Sequence, residues 1–459
     1  MPIHRLLPGA KQVLRTHDYS MLPTVLKDYP PNDLADLMSE LPATEQMIIL
    51  RSLPRKKAVE AFQYLLPSTQ EHLLQAMARE EAVGILNEMS PDDRTLLLEE
   101  LTESKSKGLL DLMAPEERAV AMSLLEYPEG SVGRLMTPDL ISVRQDWTVQ
   151  QVLDFVREKG QDSETLNVIY VVDENNLLQD DIRIREFLLA PLERRVSELM
   201  DHHYIALQVT DSQETAVTIF KQEDRTALPV VDANGVLLGI VTIDDVLDVA
   251  EAVATEDIQK IGGMEALDEP YMQIGFWRMV QKRAGWLVLL FLGEMLTATA
   301  MGYFEKEISR AIVLALFIPL IISSGGNSGS QASTLVIRAL ALSEVKGADW
   351  WRVMRREIFS GLALGTVLGS IGFLRISIWS IFSNIYDPHP LMVALTVGVA
   401  LVGVVLWGTL SGSLLPFILR RLGFDPATSS APFVATLVDV TGLVIYFTIA
   451  SLILHGTLL

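Results

Sequence analysis

An apolar run near the end of the chain, from Ala431 to Leu454, most constrains what this sequence can fold into. A helix needs about 20 apolar residues to cross a bilayer, so this run is long enough to span one. An acid, Asp439, lies in its middle, and Thr436 and Gly442 share its helix face. A carboxylate at membrane depth is costly unless it faces water or a partner. We therefore interpret Asp439 as lining a cation path.

Four further apolar stretches precede this one, and we expect spans near 284–304, 311–341, 357–383, 390–419 and 430–456. Basic residues stand before the first span, between the second and third, and between the fourth and fifth. The other two connections are not basic on balance. By the positive-inside rule, the N-terminal half is expected in the cytoplasm and the C-terminus outside. The first span carries a second acid, Glu294, and an Arg375–Asp439 ion pair is the structural alternative to an ion path.

Charge is divided unevenly along the 459 residues. From residue 276 onward there are 13 Lys and Arg against 9 Asp and Glu, a net of +4, whereas residues 1–275 hold 24 against 49, a net of −25. An acidic half beside a hydrophobic half argues against nucleic acid and for surfaces that bind cations. The chain has no cysteine, which excludes disulfides and thiolate metal sites. The N-terminus lacks the apolar region of a cleavable signal peptide.

The region from about residue 18 to 126 predicts a superstructure of short amphipathic helices. Leu-Pro or Ser-Pro pairs recur at 41–42, 53–54, 66–67 and 90–91, each just before a helical pattern. Proline is tolerated in the first turn of a helix, and Ser90 is a plausible N-cap. Three acids here are candidate cation ligands, although solvated helix-start acids are the alternative: Glu60, Asp92 and Asp93.

A tandem repeat follows, in which Leu135-Met136 recurs as Leu199-Met200. Each copy continues with a β-type stretch, an amphipathic helix and an apolar strand ending in Val-Val-Asp. The second copy then turns at Asn234-Gly235, a strong hairpin signal. The arrangement resembles a tandem CBS pair, a regulatory module. The first copy departs from the pattern at 179–185, which weakens the case for adenosine-nucleotide binding.

From Asp244 the chain predicts an acidic helix that ends at Gly262-Gly263. Asp244, Asp248 and Glu251 share one face, where like charges repel unless a cation neutralises them. The second span carries a polar, glycine-rich stretch, 319–331. Such residues at membrane depth suit a helix contact or a wall facing hydrated ions.

Together these residues resemble the MgtE family of magnesium channels over essentially the whole chain from about residue 20. The motifs that carry the resemblance are Tyr127-Pro-Glu-Gly with Gly133-Arg-Leu-Met136, Ala254-Thr-Glu-Asp257, Gly325-Gly-Asn-Ser-Gly-Ser-Gln331, Arg421-Leu-Gly-Phe-Asp425 and Ala435-Thr-Leu-Val-Asp439-Val-Thr-Gly442. The expected fold is multidomain: an all-α superhelical N domain (1–128), an α/β tandem CBS domain (129–250), an acidic connecting helix (251–283) and an all-α five-helix transmembrane domain (284–459).

The resemblance implies a homodimer in the bacterial inner membrane, with a pore that admits hydrated Mg²⁺ and is closed by cytosolic Mg²⁺. The pore residues implied are Asp439, Thr436 and Asn327. The sensing acids implied are Asp245, Asp248, Glu251, Glu256, Asp257 and Asp425, with Glu60, Asp92 and Asp93. Mg²⁺ is therefore both the expected substrate and the expected regulator, and ATP binding by the CBS pair stays open.

Mg²⁺ chemistry fits this expectation, because the ion keeps several of its waters and is usually held by one or two carboxylates. An H⁺- or Na⁺-coupled divalent-cation transporter, using Asp439 and Glu294 as a proton relay, is the main alternative. A regulated scaffold without transport would leave Asp439 unexplained. No nucleophile–base set or phosphate loop points to an enzyme, and His202-His203 is interpreted as a solvated pair.

Overall fold

The computed structural model describes residues 13–14, 19–267, 269, 271–272, 274–342 and 344–458. These residues form two compact units that divide between Glu251 and Ala252. Each unit has its own architecture and is described separately.

The first unit begins with short helices that stack on one another. They are α1 (Leu22–Leu26), α2 (Pro31–Ser39), α3 (Ala43–Ser52), α4 (Arg55–Gln63), α5 (Pro67–Ala76), α6 (Arg79–Glu88), α7 (Pro91–Glu100), α8 (Glu103–Leu110), α9 (Pro115–Leu125) and α10 (Val132–Leu135). Pro67 and Pro91 occupy the first turn of their helices, where a missing N–H costs nothing. Ser90 is the N-cap of α7 as predicted, but its hydroxyl donates to the Asp93 carboxylate at 2.8 Å rather than capping the backbone. The core is apolar and includes Leu34, Phe62 and Leu86.

Two copies of one αβ unit follow, as the repeat predicted. The first comprises β1 (Ser142–Arg144), α11 (Val149–Lys159), β2 (Val168–Val172), β3 (Leu178–Arg183) and α12 (Ile184–Leu189). The second comprises β4 (Leu207–Gln208), α13 (Gln213–Glu223), β5 (Ala227–Val231) and β6 (Leu237–Thr242). In each three-stranded sheet the first pair is parallel and the second antiparallel. The central strands β2 and β5 are buried at every position.

Two details of the repeat bear on the sequence predictions. The β5–β6 hairpin turns at Gly235, whose φ of +85° suits glycine, so the Asn-Gly signal is confirmed. The divergent stretch of the first copy still forms a strand, because Asp180 turns inward. Its Oδ2 accepts bonds from the backbone N–H groups of Asp201 and His202 at 2.9 and 3.0 Å. The side chains of His202 and His203 are exposed, as predicted.

The helix α14 (Ile243–Ile261) starts directly after β6 and runs into the second unit, where Gly263, with a φ of +74°, ends it. The second unit continues with α15 (Phe276–Tyr303), α16 (Glu305–Arg310), α17 (Ile318–Ala341), α18 (Trp350–Trp379), α19 (Pro390–Arg421) and α20 (Ala431–Leu454). Within the described residues, five helices are long and apolar enough to cross a membrane, which agrees with the five predicted spans. The glycine-rich stretch 319–331 is regular α-helix inside α17.

Glycines bring α17 and α19 together until their backbones touch. A Cβ on Gly412 would lie 2.0 Å from the carbonyl oxygen of Gly329, and a Cβ on Gly408 would lie 2.3 Å from that of Gly325. Hydroxyls add interhelical bonds at the same contact, including Ser328 Oγ with the hydroxyl of Thr409 at 2.7 Å. Small residues and hydroxyls are the usual means of joining helices in a membrane. Most of the polar stretch therefore serves packing.

Replacing Gly412 with alanine is expected to destabilise this unit strongly. The new methyl group would overlap the Gly329 carbonyl, so the two backbones must separate, at a cost of about 3 kcal/mol. Thermal unfolding of the full chain in detergent should show a melting temperature several degrees lower. Gly302→Ala is the matched control, because no neighbouring atom of the described residues lies within 4 Å of a Cβ there. Equal melting temperatures for the two variants would contradict the packing described.

Candidate ion-binding sites

Asp439 projects from the third turn of α20. Ser430 caps this helix by accepting a bond from the Phe433 N–H at 3.3 Å, and Pro432 lies in its first turn. The Asp439 side chain is partly buried, and its Oδ1 would be 3.4 Å from a Cβ on Gly326. The bare backbone of α17 at Gly326 thus makes room for the carboxylate. Gly326 leaves space for the Asp439 carboxylate, whereas Gly325 and Gly329 allow close contact with α19.

A second acid stands beside Asp439. Helix α15 crosses α20 where a Cβ on Gly293 would lie 3.0 Å from Thr436 Cγ2, so the next residue, Glu294, is brought close enough for its charge to act on Asp439. The Glu294 side chain is exposed. Neither acid has an ion pair with Lys or Arg among the described residues. Two like charges at membrane depth favour a site that attracts a cation.

The alternative partner of Asp439 is engaged elsewhere. The Arg375 guanidinium lies over the ring of Trp379, 4.2 Å from its centroid, one turn along the same helix. Stacking of this kind satisfies an arginine near a membrane interface. The Arg375–Asp439 ion pair considered from the sequence is therefore not formed. Asn327 follows Gly326 on α17, and its exposed amide donates a long bond of 3.4 Å to Ser323.

In the first unit, acids from α7 and from the start of α14 form a cluster. Asp92 is 7% exposed, and its Oδ1 is buried without a hydrogen-bond partner among the described residues. Burial, followed by the charges of Asp245 and Asp93, raises the pKa of Asp92 well above its usual range. Asp93 accepts bonds from the Ser90 hydroxyl and the Gln63 amide. The structure thus brings together acids that are about 150 residues apart in the sequence.

The acids that α14 contributes to this cluster carry like charges that repel one another. Burial, and the charges of Asp244, Asp93 and Glu164, raise the pKa of Asp245 to about 7, although a bond from the Thr242 hydroxyl opposes the shift. Partial burial and the charges of Asp244, Asp93 and Glu251 also raise the pKa of Asp248. A bound cation would relieve this repulsion.

Glu164 belongs to the cluster but escaped the sequence analysis, because a lone acid in a loop carries no spacing signal. Burial and the charges of Asp244, Asp93 and Asp139 raise its pKa. Glu60 lies apart, beside a groove that it shares with Asp28 and Lys56. Within the described residues no three acids are close enough to hold one bare ion. Mg²⁺ binding through retained waters does not need that geometry.

Protons and divalent cations should compete for this cluster. The folded-state pKa of Asp245 is about 7 against an ordinary 3.8, so its burial as an anion lowers stability as the pH rises from about 4 to 7. We expect the metal-free full chain to melt at a lower temperature at pH 8 than at pH 6. Mg²⁺ should raise the melting temperature more at pH 8, with NaCl at matched ionic strength as the control. Equal stabilisation by Mg²⁺ at both pH values would contradict this competition.

A second group of acids lies within the second unit, near the end of α14. Lys260 Nζ is 2.6 Å from Glu256 Oε1 and 2.7 Å from Asp425 Oδ2. Burial, and then the charge of Asp425, raise the pKa of Asp257. The exposed Glu251 stands earlier on α14. Apart from Glu60 and Glu251, the predicted sensing acids therefore fall into two groups, and the lysine inside the second was not predicted.

Comparison with known proteins now adds to this geometry. Family models match three parts of the chain: an intracellular MgtE N domain at 29–130, CBS domains at 132–190 and 196–252, and an MgtE divalent cation transporter domain at 318–449. The magnesium transporter MgtE of Thermus thermophilus is 39% identical over 455 residues, which cover 98% of this chain and 99% of the relative. The chain belongs to the MgtE family of magnesium transporters.

Other MgtE relatives agree. The magnesium transporter MgtE of Bacillus subtilis is 31% identical over 335 residues, 72% of each chain. A crystal structure of the cytosolic domain of the Mg²⁺ channel MgtE in complex with ATP matches at 36% identity and a TM-score of 0.51. The match covers 52% of this chain and 98% of that domain. The relatives are named transporters, in agreement with the expectation that the chain is not an enzyme.

Proposed function

We propose that this MgtE member is a passive Mg²⁺ channel whose path runs past Asp439. The observation that carries the proposal is the Asp439 carboxylate, which lies at membrane depth against the bare backbone of Gly326 without a cationic partner among the described residues. Hydrated Mg²⁺ needs only one or two carboxylates, because it keeps several of its waters. Thr436 lies on the same helix face, and Asn327 supplies an exposed amide on the neighbouring helix. Both side chains can bond to the waters of the ion.

Cytosolic Mg²⁺ is proposed to close this channel by binding the two groups of acids. The carboxylates of Asp92, Asp93, Asp245 and Asp248 repel one another when no cation is bound, and burial first and this repulsion second raise their pKa values. Glu256, Asp257 and Asp425 form the second group, with Glu251 and Glu60 as outlying acids. A cation that neutralises a group of acids stabilises the conformation in which these carboxylates lie close together. The population then shifts toward that conformation. In this proposal the closed state is the metal-bound state.

The assembly and topology follow the family resemblance and the charge pattern. We propose a homodimer in the bacterial cytoplasmic membrane, with the acidic first unit in the cytoplasm and the C-terminus outside. The charges that support this orientation include Arg355 and Arg356 in the second turn of α18 and Arg420 and Arg421 at the end of α19. The proposed domain boundaries remain 1–128, 129–250, 251–283 and 284–459.

The CBS pair is proposed to bind ATP, as the related cytosolic domain does. Among the described residues of this pair, three side-chain atoms are buried without hydrogen-bond partners: Arg144 Nη1, the Tyr170 hydroxyl and Asp181 Oδ1. Arg225 pairs with Asp181 and supplies a cation. A carboxylate can accept bonds from ribose hydroxyls, and a guanidinium can pair with phosphate. Calorimetric titration of the full chain with ATP tests this assignment, and the absence of binding heat would overturn it.

Uptake into proteoliposomes tests the channel proposal. The full chain is expected to admit Mg²⁺ without any H⁺ or Na⁺ gradient, and high internal Mg²⁺ should suppress the uptake. Uptake that requires a counter-ion gradient would instead assign the chain to the coupled transporters. Uptake unaffected by internal Mg²⁺ would leave transport in place and remove the closure mechanism.

A further inference from the structure

The second group of acids already contains a cation of its own. Lys260 Nζ bridges Glu256 on its own helix and Asp425 after α19, at 2.6 and 2.7 Å. The lysine side chain is only 26% exposed, so its charge is held among the acids rather than in free solvent. All of these residues belong to the unit that begins at Ala252.

The two carboxylates are positioned by different means. Glu256 and Lys260 are four residues apart on α14, the spacing and order that favour an ion pair on a helix. Asp425 is fixed independently, because its Oδ1 accepts a bond from the Ala427 N–H at 2.9 Å. Its other oxygen, Oδ2, accepts the hydrogen bond from Lys260 Nζ. The Lys260 ammonium group therefore already occupies the carboxylate oxygens that would bind a metal ion, Glu256 Oε1 and Asp425 Oδ2.

The segment that follows α14 contacts other helices of the same unit. A Cβ on Gly263 would lie 3.1 Å from Pro432 Cγ in the first turn of α20. The Glu265 N–H donates to the Lys282 carbonyl at 3.1 Å. These contacts do not involve the Lys260 side chain, so we expect them to hold the helix end in place when the ammonium group is displaced.

We propose that Lys260 is an internal competitor of Mg²⁺ that sets the concentration at which the channel closes. This rests on the proposed function. At low Mg²⁺ the ammonium neutralises Glu256 and Asp425, and Mg²⁺ must displace it to join Asp257 with them. A compact ammonium is a strong point charge, so it both blocks the oxygens and repels the arriving ion. Without Lys260 the same three acids would bind Mg²⁺ more tightly.

The test is the internal Mg²⁺ concentration that half-suppresses uptake into proteoliposomes. Lys260→Met should lower that midpoint about tenfold, a coupling of ordinary size between two ligands of one site. Lys260→Arg, which keeps the charge, should stay near wild type. Arg421→Met is the matched control, because Arg421 is exposed and has no ion pair among the described residues, and it should shift the midpoint less than twofold.

Each outcome has a distinct meaning. A midpoint for Lys260→Met that is unchanged or higher than wild type would overturn the inference, since a purely structural tether predicts a higher midpoint. If Lys260→Met fails to fold, Lys260→Gln removes the charge while keeping hydrogen bonds to the carboxylates, and the same lower midpoint is expected. If wild type itself is not suppressed by Mg²⁺, the closure proposal fails and this inference fails with it.

Discussion

Replacing Asp439 with asparagine is expected to reduce Mg²⁺ uptake into proteoliposomes about 100-fold. Asparagine keeps the shape of the side chain but removes the charge, and a hydrogen bond to a charged group is worth about 1.5–3 kcal/mol. The loss is expected at every internal Mg²⁺ concentration, because it affects the path rather than the sensor. Asp439→Ala should behave the same way.

Two other acids complete the design of this experiment. Asp387→Asn is the matched control, because this exposed acid of the same unit lies in the turn between α18 and α19. It should leave uptake unchanged. Glu294→Gln should reduce uptake only several-fold, because Glu294 adds to the field at Asp439 from a more exposed position. Normal uptake in Asp439→Asn would show that Asp439 is a structural residue.

Neutralising Asp92 and Asp245 together is expected to raise the internal Mg²⁺ concentration needed for closure about tenfold or more. The double variant Asp92→Asn/Asp245→Asn removes the buried carboxylate of Asp92 and the partly buried carboxylate of Asp245, whose negative charges repel each other. Amides neither repel each other nor attract a divalent ion, so the metal loses its advantage in the closed state. Suppression of uptake by internal Mg²⁺ is the measurement.

The control for this pair is Glu214→Gln/Glu223→Gln, which removes two exposed acids from α13 in the same unit. It changes the formal net charge equally and should leave the midpoint within twofold of wild type. A control that shifts closure as much as the Asp92 and Asp245 pair would show that total charge, and not this cluster, governs the response. Basal uptake at low internal Mg²⁺ should be similar in all three proteins.

Much of the fold was predictable because its signals are local. Apolar length gave the five spans, and the Asn234-Gly235 pair gave a hairpin. The glycines at 325 and 329 were ambiguous, because a small residue permits close approach without saying what approaches. Only the structure shows that the α19 backbone meets both of them, whereas the Asp439 carboxylate lies against Gly326.

The sites were less predictable, since periodicity shows which residues share a face but not what that face meets. Asp439 could be recognised from the sequence, because a carboxylate in an apolar helix is energetically costly unless it has a function. Lys260 did not, because its partner Asp425 is 165 residues away and a Lys in an acidic helix is ordinary. Glu164 likewise joins its cluster through the folding of a loop, which no sequence pattern records.

The backbone contact between α17 and α19 has a consequence for how the path can change width. Where main chains touch without side chains between them, there is no soft layer to compress and no rotamer to flip. Helices α17 and α19 should therefore move together as one rigid body. The apolar part of α15, by contrast, is not buried against the rest of the described chain. The ion path past Asp439 is then expected to widen by displacement of α15, while α17 and α19 stay fixed relative to each other.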